Sequence, residues 1–308
     1  MEIYYNQARN SNTIITLGTF DGLHLGHQEI IKLTVNKAKK LDYNSALFTF
    51  NPHPLKVVSP NNTPKSLMSW KQKRRVIESL GINQIIVKKF TEEFSRIPYE
   101  DFVLEYLLKR FSVKEIIVGE DFKCGYKGKG TPDRLKKLGE KLGFGVQAIP
   151  SIKFKNKEIG STYIRNLILE GRVDEVKEQL GRNFILDCEV IKGDQRGRKL
   201  GFPTANLHPF ADYVLPPLGV YACKVRVKDK IYGGAVHLGL IPTFNKNKFS
   251  IEVYIFDFSD NIYGERIELE FIKRIRGEEN FKTVEELISR MKEDVRVSKI
   301  ILDKIDSL

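Results

Sequence analysis

Ile14-Ile-Thr-Leu17 runs straight into Gly18-Thr-Phe-Asp-Gly-Leu-His-Leu-Gly-His27, and the reading of this stretch decides the fold. The first four residues predict a short buried strand, and a glycine-rich turn follows. From about residue 26 to residue 40, Ile30, Ile31, Thr34, Val35, Ala38 and then Leu41 recur at three- and four-residue spacing, the period of an amphipathic helix. A strand that ends in glycines and turns into a helix aims free backbone N–H groups and the positive end of the helix dipole at one point. That arrangement suits a phosphate. Gly18, Gly22 and Gly26 permit close approach, and His24 and His27 add donors to phosphate oxygens. The plainer alternative is a strand-to-helix loop whose histidines only cap the helix.

Outward from this stretch, Ala46-Leu-Phe-Thr-Phe50, Ile85-Ile-Val87 and Ile116-Ile-Val118 predict three more buried strands. Helical patterns over 70–80, 99–110 and 132–142 separate or follow them, and two short helices over 161–170 and 173–180 come next. This alternating order predicts a parallel sheet covered on both faces. After Phe184 the period changes to two, with strands expected over 185–192, 219–227, 231–238, 250–258 and 265–274. Turn residues separate them, and short strands at that spacing predict a small antiparallel barrel. A closing helix over 284–305 begins after Thr283, with Glu285 and Glu286 in its first turn. The expected fold class is α/β. A Rossmann-like domain with a parallel sheet spans 1–184, and a small antiparallel β-barrel with a terminal helix spans 185–308.

The length of 308 residues exceeds a typical domain of ~100–200 residues, in keeping with two domains. No apolar run approaches the ~18–20 residues of a membrane span, and Met1-Glu-Ile-Tyr-Tyr5 lacks a basic-then-apolar leader. A cytoplasmic protein with no membrane partner is therefore expected. Cys124, Cys188 and Cys223 are odd in number and far apart, which fits neither a disulfide framework nor a zinc cluster. The formal net charge of +12 suits either an acidic partner or a lysine-rich solvated surface. No basic stripe interleaves with stacking aromatics, so nucleic acid is not an expected partner.

Three further stretches carry chemistry. Ser161-Thr-Tyr-Ile-Arg165 opens a helix with two hydroxyls and sets Arg165 one turn later on the same face, so hydroxyls, N–H groups and a guanidinium converge on an anion. A plain helix cap would also explain Ser161. In Arg196-Gly-Arg-Lys-Leu-Gly-Phe-Pro-Thr-Ala-Asn206, Pro203 keeps the chain extended, so Thr204 and Asn206 point to one side. Both residues are also common turn formers. Glu252 stands on an expected strand whose other face carries Ile251, Val253 and Ile255; alone, it reads as an exposed strand glutamate.

Together these motifs resemble the bifunctional prokaryotic riboflavin kinase/FMN adenylyltransferase family, the FAD synthetases. The first half is similar at Gly18–His27, Phe48-Thr-Phe-Asn-Pro-His-Pro54, Gly119-Glu-Asp-Phe-Lys-Cys-Gly125 and Ser161–Arg165. The second half is similar at Arg196–Asn206, Gly239-Leu-Ile-Pro-Thr-Phe244, the strand around Glu252, 257–264, Arg276 and 281–294. The resemblance implies ATP-dependent phosphorylation of riboflavin to FMN, then adenylylation of FMN to FAD with release of pyrophosphate. Riboflavin, FMN, FAD and ATP are the implied ligands, and Mg²⁺ the implied cofactor. Gly18, Phe20, Asp21, Gly22, His24, Gly26 and His27 are implied to hold ATP in the first half, with Ser161, Thr162 and Arg165 gripping it from the other side. His24 and His27 are the implied catalytic pair there, and Asn51, His53, Asp121 and Phe122 are implied to line the FMN side. In the second half, Gly197, Arg198, Lys199, Gly201, Pro203, Thr204 and Asn206 are implied to hold ATP. The oxygens of Thr204 and Asn206 suit Mg²⁺, and Glu252 is the implied base for the ribityl 5′-hydroxyl. The sequence departs from the family pattern at Cys124, in the loop 126–130, at His237 and at Ile241. Rival readings are a chain that keeps one of the two activities, or a basic nucleic-acid-binding regulator built on a retired enzyme. The sequence carries no sign of oligomeric state.

Overall fold

The structure, a computed structural model, describes residues 3–5, 12–151, 153–154, 157–193, 197, 200–242 and 247–307. Arg198 and Lys199, with Thr243 and Phe244 of the motif at 239–244, lie outside the described residues. By packing, the chain forms two compact units: residues 1–64 with 70–160, and residues 65–69 with 161–308.

The first unit is built on a six-stranded sheet. Its strands are β1 (Ile3–Tyr5), β2 (Thr13–Leu17), β3 (Asn44–Phe50), β4 (Gln84–Lys88), β5 (Val113–Gly119) and β6 (Gly145–Ile149), in the spatial order β1-β4-β3-β2-β5-β6. The five strands from β2 to β6 run parallel, and β1 adds an antiparallel edge against β4. All five residues of β2 are buried, as befits a central strand covered on both faces. The longest helices among the described residues of this unit are α1 (Leu25–Lys40), α2 (Trp70–Ser79) and α3 (Pro132–Leu142). Ile31, Thr34 and Ala38 form the buried side of α1, following the period read from sequence. Strands β1 and β6 lie at the edges of the sheet and go beyond the strands expected from sequence: β1 is only three residues long, and β6 mixes exposed and half-buried positions. The pattern over 99–110 contains a π-helical stretch from Phe102 to Leu108, with Phe102, Val103 and Leu107 buried. Because the chain goes from β2 to β3 on one side and β5 pairs β2 on the other, strand order reverses beside β2. Open α/β sheets bind ligands outside the carboxyl ends of their strands at such a switch point.

A two-residue strand pair, β7 (Lys153–Phe154) with β8 (Lys157–Glu158), closes the first unit in sequence. Helices α4 (Ser161–Leu169) and α5 (Val176–Leu180) follow, and their Ile164, Leu167, Ile168, Val176 and Leu180 share one core with the barrel. The barrel itself is closed by β9 (Phe184–Ile191), β10 (Thr204–Pro209), β11 (Gly219–Val227), β12 (Lys230–Pro242), β13 (Asn247–Ile255) and β14 (Arg266–Arg276), in the order β10-β13-β12-β11-β14-β9. All neighbouring pairs are antiparallel. Five of these strands match the period-two stretches of the sequence; β10 does not announce itself there, because Thr-Ala-Asn-Leu-His-Pro lacks the β-branched alternation of its neighbours.

Residues 65–69 pack with the second unit although they stand within the first in sequence. Ser66 exchanges backbone hydrogen bonds with Asp212 (2.8 Å) and Val214 (3.0 Å). Ser69 Oγ donates to the buried Asp187 carboxylate at 2.7 Å, which Arg266 also holds through Nε at 2.6 Å. The closing helix α6 (Val284–Asp306) is tied to β14 by Arg276, whose guanidinium reaches the Asp294 carboxylate at 2.8–3.1 Å. Phe271 anchors the barrel interior between Phe184 and Tyr221, with ring centroids at 5.8 and 5.4 Å. Phe271→Ala should cost about 3–5 kcal/mol, the usual penalty for emptying a buried aromatic site. The check is a lower urea midpoint for the barrel transition.

Candidate active sites

The glycine turn leaves the carboxyl end of β2 and enters α1 through His24, its N-cap. His24 Nδ1 accepts from the His27 backbone N–H at 3.3 Å. The His24 and His27 rings stack with centroids 3.7 Å apart. Burial first, then the neighbouring His24 and Lys73, hold the His27 imidazole well below its usual pKa. Two stacked rings cannot share positive charge cheaply, so His27 is a neutral single N–H donor at pH 7. Its Nδ1 is buried and has no protein partner among the described residues. The turn backbone is unusual: Phe20 and Leu23 have φ of +48° and +44°, a region disfavoured for residues with a Cβ. Gly22 sits between them at φ +75°, where a glycine relieves the same strain.

A cavity of about 730 Å³ opens at the carboxyl ends of β2, β3, β4 and β5. Gly18, Phe20 and His27 form one side, with His53 and Pro54 after β3, Phe90 and Phe94 after β4, and Gly119, Asp121 and Phe122 after β5. Phe90 meets Phe50 and Phe94 edge-to-face at 5.3 and 5.5 Å, and Phe50 and Phe94 lie tilted at 5.9 Å. The result is an aromatic slot with polar groups at its rim, the character of a site for a flat, partly apolar ligand. His53 caps the short helix Pro54–Val58 by accepting from Leu55 N–H at 3.2 Å. Asn51 precedes a cis peptide to Pro52 and is exposed; it does not line the cavity.

Of the residues singled out from sequence, Gly18, Phe20, His27, His53, Asp121 and Phe122 surround this one cavity. Asp21, Gly22 and His24 are buried in the turn beside it, and Gly26 lies in the first turn of α1. Ser161, Thr162 and Arg165 stand on the opening of α4 in the second unit. There Arg165 Nε donates to the Lys65 carbonyl at 2.8 Å. The aromatic wall of Phe50, Phe90 and Phe94 was not singled out; its trace is the i,i+4 pair in Phe90-Thr-Glu-Glu-Phe94.

The second constellation lies on the outside of the barrel. Ala205 pairs with Val253, and Val253 with Val236, and these point inward. The alternate residues therefore face out: Asn206 opposite Glu252, and Glu252 opposite His237. Thr204 Oγ donates to Glu252 Oε2 at 3.1 Å, which leaves the hydroxyl lone pairs free for a cation. Upstream, the Gly197 carbonyl accepts from Leu200 N–H (3.0 Å) and Phe202 N–H (2.9 Å). A Cβ at Gly197 would come within 2.3 Å of the Phe202 carbonyl oxygen, so the tight turn before Pro203 requires glycine there. Gly201 holds φ +84°. His237 has an exposed edge, yet desolvation by the atoms packed round its ring lowers its pKa against the opposing pull of Glu252.

Residues 6–163 match the family model described as FAD synthetase, and residues 180–302 match the one described as riboflavin kinase. The bifunctional riboflavin kinase/FMN adenylyltransferase of Buchnera aphidicola subsp. Schizaphis graminum is 36% identical over 294 residues, covering 94% of both chains. Its namesake from Bacillus subtilis is 36% identical over 294 residues, covering 94% of this chain and 92% of that protein. A solved structure described as a macrolide-efflux protein from Streptococcus pneumoniae superposes with a TM-score of 0.85 at 29% identity, covering 94% of each chain. Among the described residues, no helix is long and apolar enough to cross a membrane.

Proposed function

The chain belongs to the bifunctional riboflavin kinase/FMN adenylyltransferase family, and from that premise we propose how its residues divide the work. It phosphorylates riboflavin to FMN and adenylylates FMN to FAD, releasing pyrophosphate. The observation that carries the assignment of sites is the aromatic cavity opening beside His27 at the sheet's switch point. The isoalloxazine of FMN enters the slot walled by Phe50, Phe90, Phe94 and Phe122. The glycine turn, with the N–H groups at the start of α1, faces the ATP α-phosphate. An FMN phosphate oxygen attacks the α-phosphorus, and the bond to the β-phosphate oxygen breaks. The attacking phosphate is already anionic at neutral pH, so no base is needed. Positioning and N–H donation carry the step. Family resemblance assigns ATP phosphate to Ser161, Thr162 and Arg165 as well.

In the barrel, Glu252 accepts the 5′-hydroxyl proton as that oxygen attacks the γ-phosphorus and ADP leaves. Thr204 and Asn206, with oxygen donors beside Glu252, would hold Mg²⁺; a hard cation suits this set. Bound there, it would neutralise charge on the nucleotide phosphates. Arg198 and Lys199 are assigned to the same nucleotide by resemblance alone. Function divides near residues 184 and 185 on this reading. Three cysteines without disulfides support a cytoplasmic setting.

One incubation with riboflavin, ATP and Mg²⁺, followed by chromatography, tests the assignment. FMN should appear first and FAD after it; absence of both products overturns the reading.

A further inference from the structure

We propose that Lys73 is a positioning residue for adenylyl transfer: its buried ammonium pins the Thr19–Phe20 peptide and thereby sets Phe20 and His27 against the transferring phosphate. The inference rests on the reading of Gly18–His27 as the adenylyl site. A helix lysine normally sends its head group to water. Lys73, on α2, instead turns inward and donates from Nζ to the Thr19 carbonyl at 2.8 Å. The same oxygen accepts from Thr49 Oγ on β3 at 3.3 Å. Two donors from two different elements thus hold one carbonyl in the middle of the turn.

The residue after that carbonyl is Phe20, at φ +48°. A left-handed conformation at such a residue is costly and persists only where its surroundings over-determine it. The Phe20 ring meets the His27 ring edge-on at 5.2 Å. The same ring lies 3.2 Å from where a Cβ at Gly18 would stand. The chain of contacts therefore runs from Lys73 through Thr19 and Phe20 to the donor ring. On that ring, His27 Nδ1 is buried and without a protein partner among the described residues. The charges fit the same role. Asp21 favours the charged form of Lys73, although burial lowers its pKa. Lys73 and His24 together act against protonation of His27. A cation beneath the turn thus does two things: it fixes the backbone and keeps the neighbouring imidazole neutral.

The test uses the full-length chain with Lys73→Met and Lys73→Arg, assayed for FMN-to-FAD and riboflavin-to-FMN conversion across pH. Lys73→Met should lower kcat for adenylylation about 10–100-fold, with KM for FMN within about threefold and FMN formation within about twofold. Loss of the positive charge lets His27 protonate more easily, so the acidic midpoint of kcat/KM should move to higher pH. Lys73→Arg should recover most of the rate and the original midpoint. Thr49→Val removes the companion donor and should give a smaller loss of about 2–10-fold, which tests the same pin should Lys73→Met fail to fold. Wild-type FAD formation with Lys73→Met unchanged, or with its midpoint unmoved, overturns this proposal alone. Failure of the wild-type chain to make FAD from FMN overturns the adenylyl site as well.

Discussion

Glu252→Gln should stop FMN formation, with kcat for riboflavin phosphorylation falling about 10²–10⁴-fold, while FMN supplied ready-made is still converted to FAD. The argument is local. Glu252 faces out from β13, while its neighbours Ile251 and Val253 are buried in the barrel. Its carboxylate already accepts the Thr204 hydroxyl at 3.1 Å. Glutamine keeps the length of the side chain and an oxygen that can take the same hydrogen bond, so the barrel should fold as before. What the amide cannot do is accept a proton at neutral pH. The loss therefore reads the proton acceptor rather than the scaffold. Chromatography of products from riboflavin and from FMN, run side by side, measures it. A folded variant that lost both conversions, or neither, would show the assignment of Glu252 to be wrong.

The mirror-image result is expected for His27→Ala: FAD formation falls about 10²–10³-fold, the usual cost of removing one donor aimed at developing charge, and FMN formation persists. His27 lines the cavity, and its imidazole is kept neutral by burial, by His24 and by Lys73. It therefore offers one N–H to a phosphate oxygen and no formal charge. Since the imidazole is already neutral at pH 7, raising the pH further should leave its contribution unchanged, and any loss should appear on acidification. Alanine also removes the partner stacked on His24 at 3.7 Å. The His24 cap uses the backbone N–H of residue 27, so the start of α1 should survive. Product analysis from FMN and ATP between pH 5 and 9 provides the check. Wild-type FAD yield from this variant would sink the adenylyl assignment.

Much of this was legible in residue order. The run from Ile14 to His27 specified a strand, a phosphate-like turn and a helix, because apolar period and glycine placement are local properties. The alternation at 250–256 likewise put Glu252 on one face and Ile251 and Val253 on the other. Strand β10 was harder to read. Its Thr-Ala-Asn-Leu-His-Pro sequence has weak strand character, and only pairing with β9 and β13 makes it a barrel strand. Residues 65–69 gave no warning that they pack with the barrel, because the partners Asp187, Asp212 and Val214 stand more than a hundred positions away.

Residue order alone specified an α/β half and a β-barrel half. Those are matters of periodicity and of residue type at fixed spacing, which the backbone expresses within a few residues. Which residues meet depends on how the chain packs. The cavity joins residues at or just beyond the ends of four different strands. Asn206, Glu252 and His237 become a row only through barrel register. Lys73 turns from a surface helix lysine into a buried cation only because α2 lies against the carbonyl of Thr19. Such groupings depend on loop closure and register over long separations, and no local pattern records them.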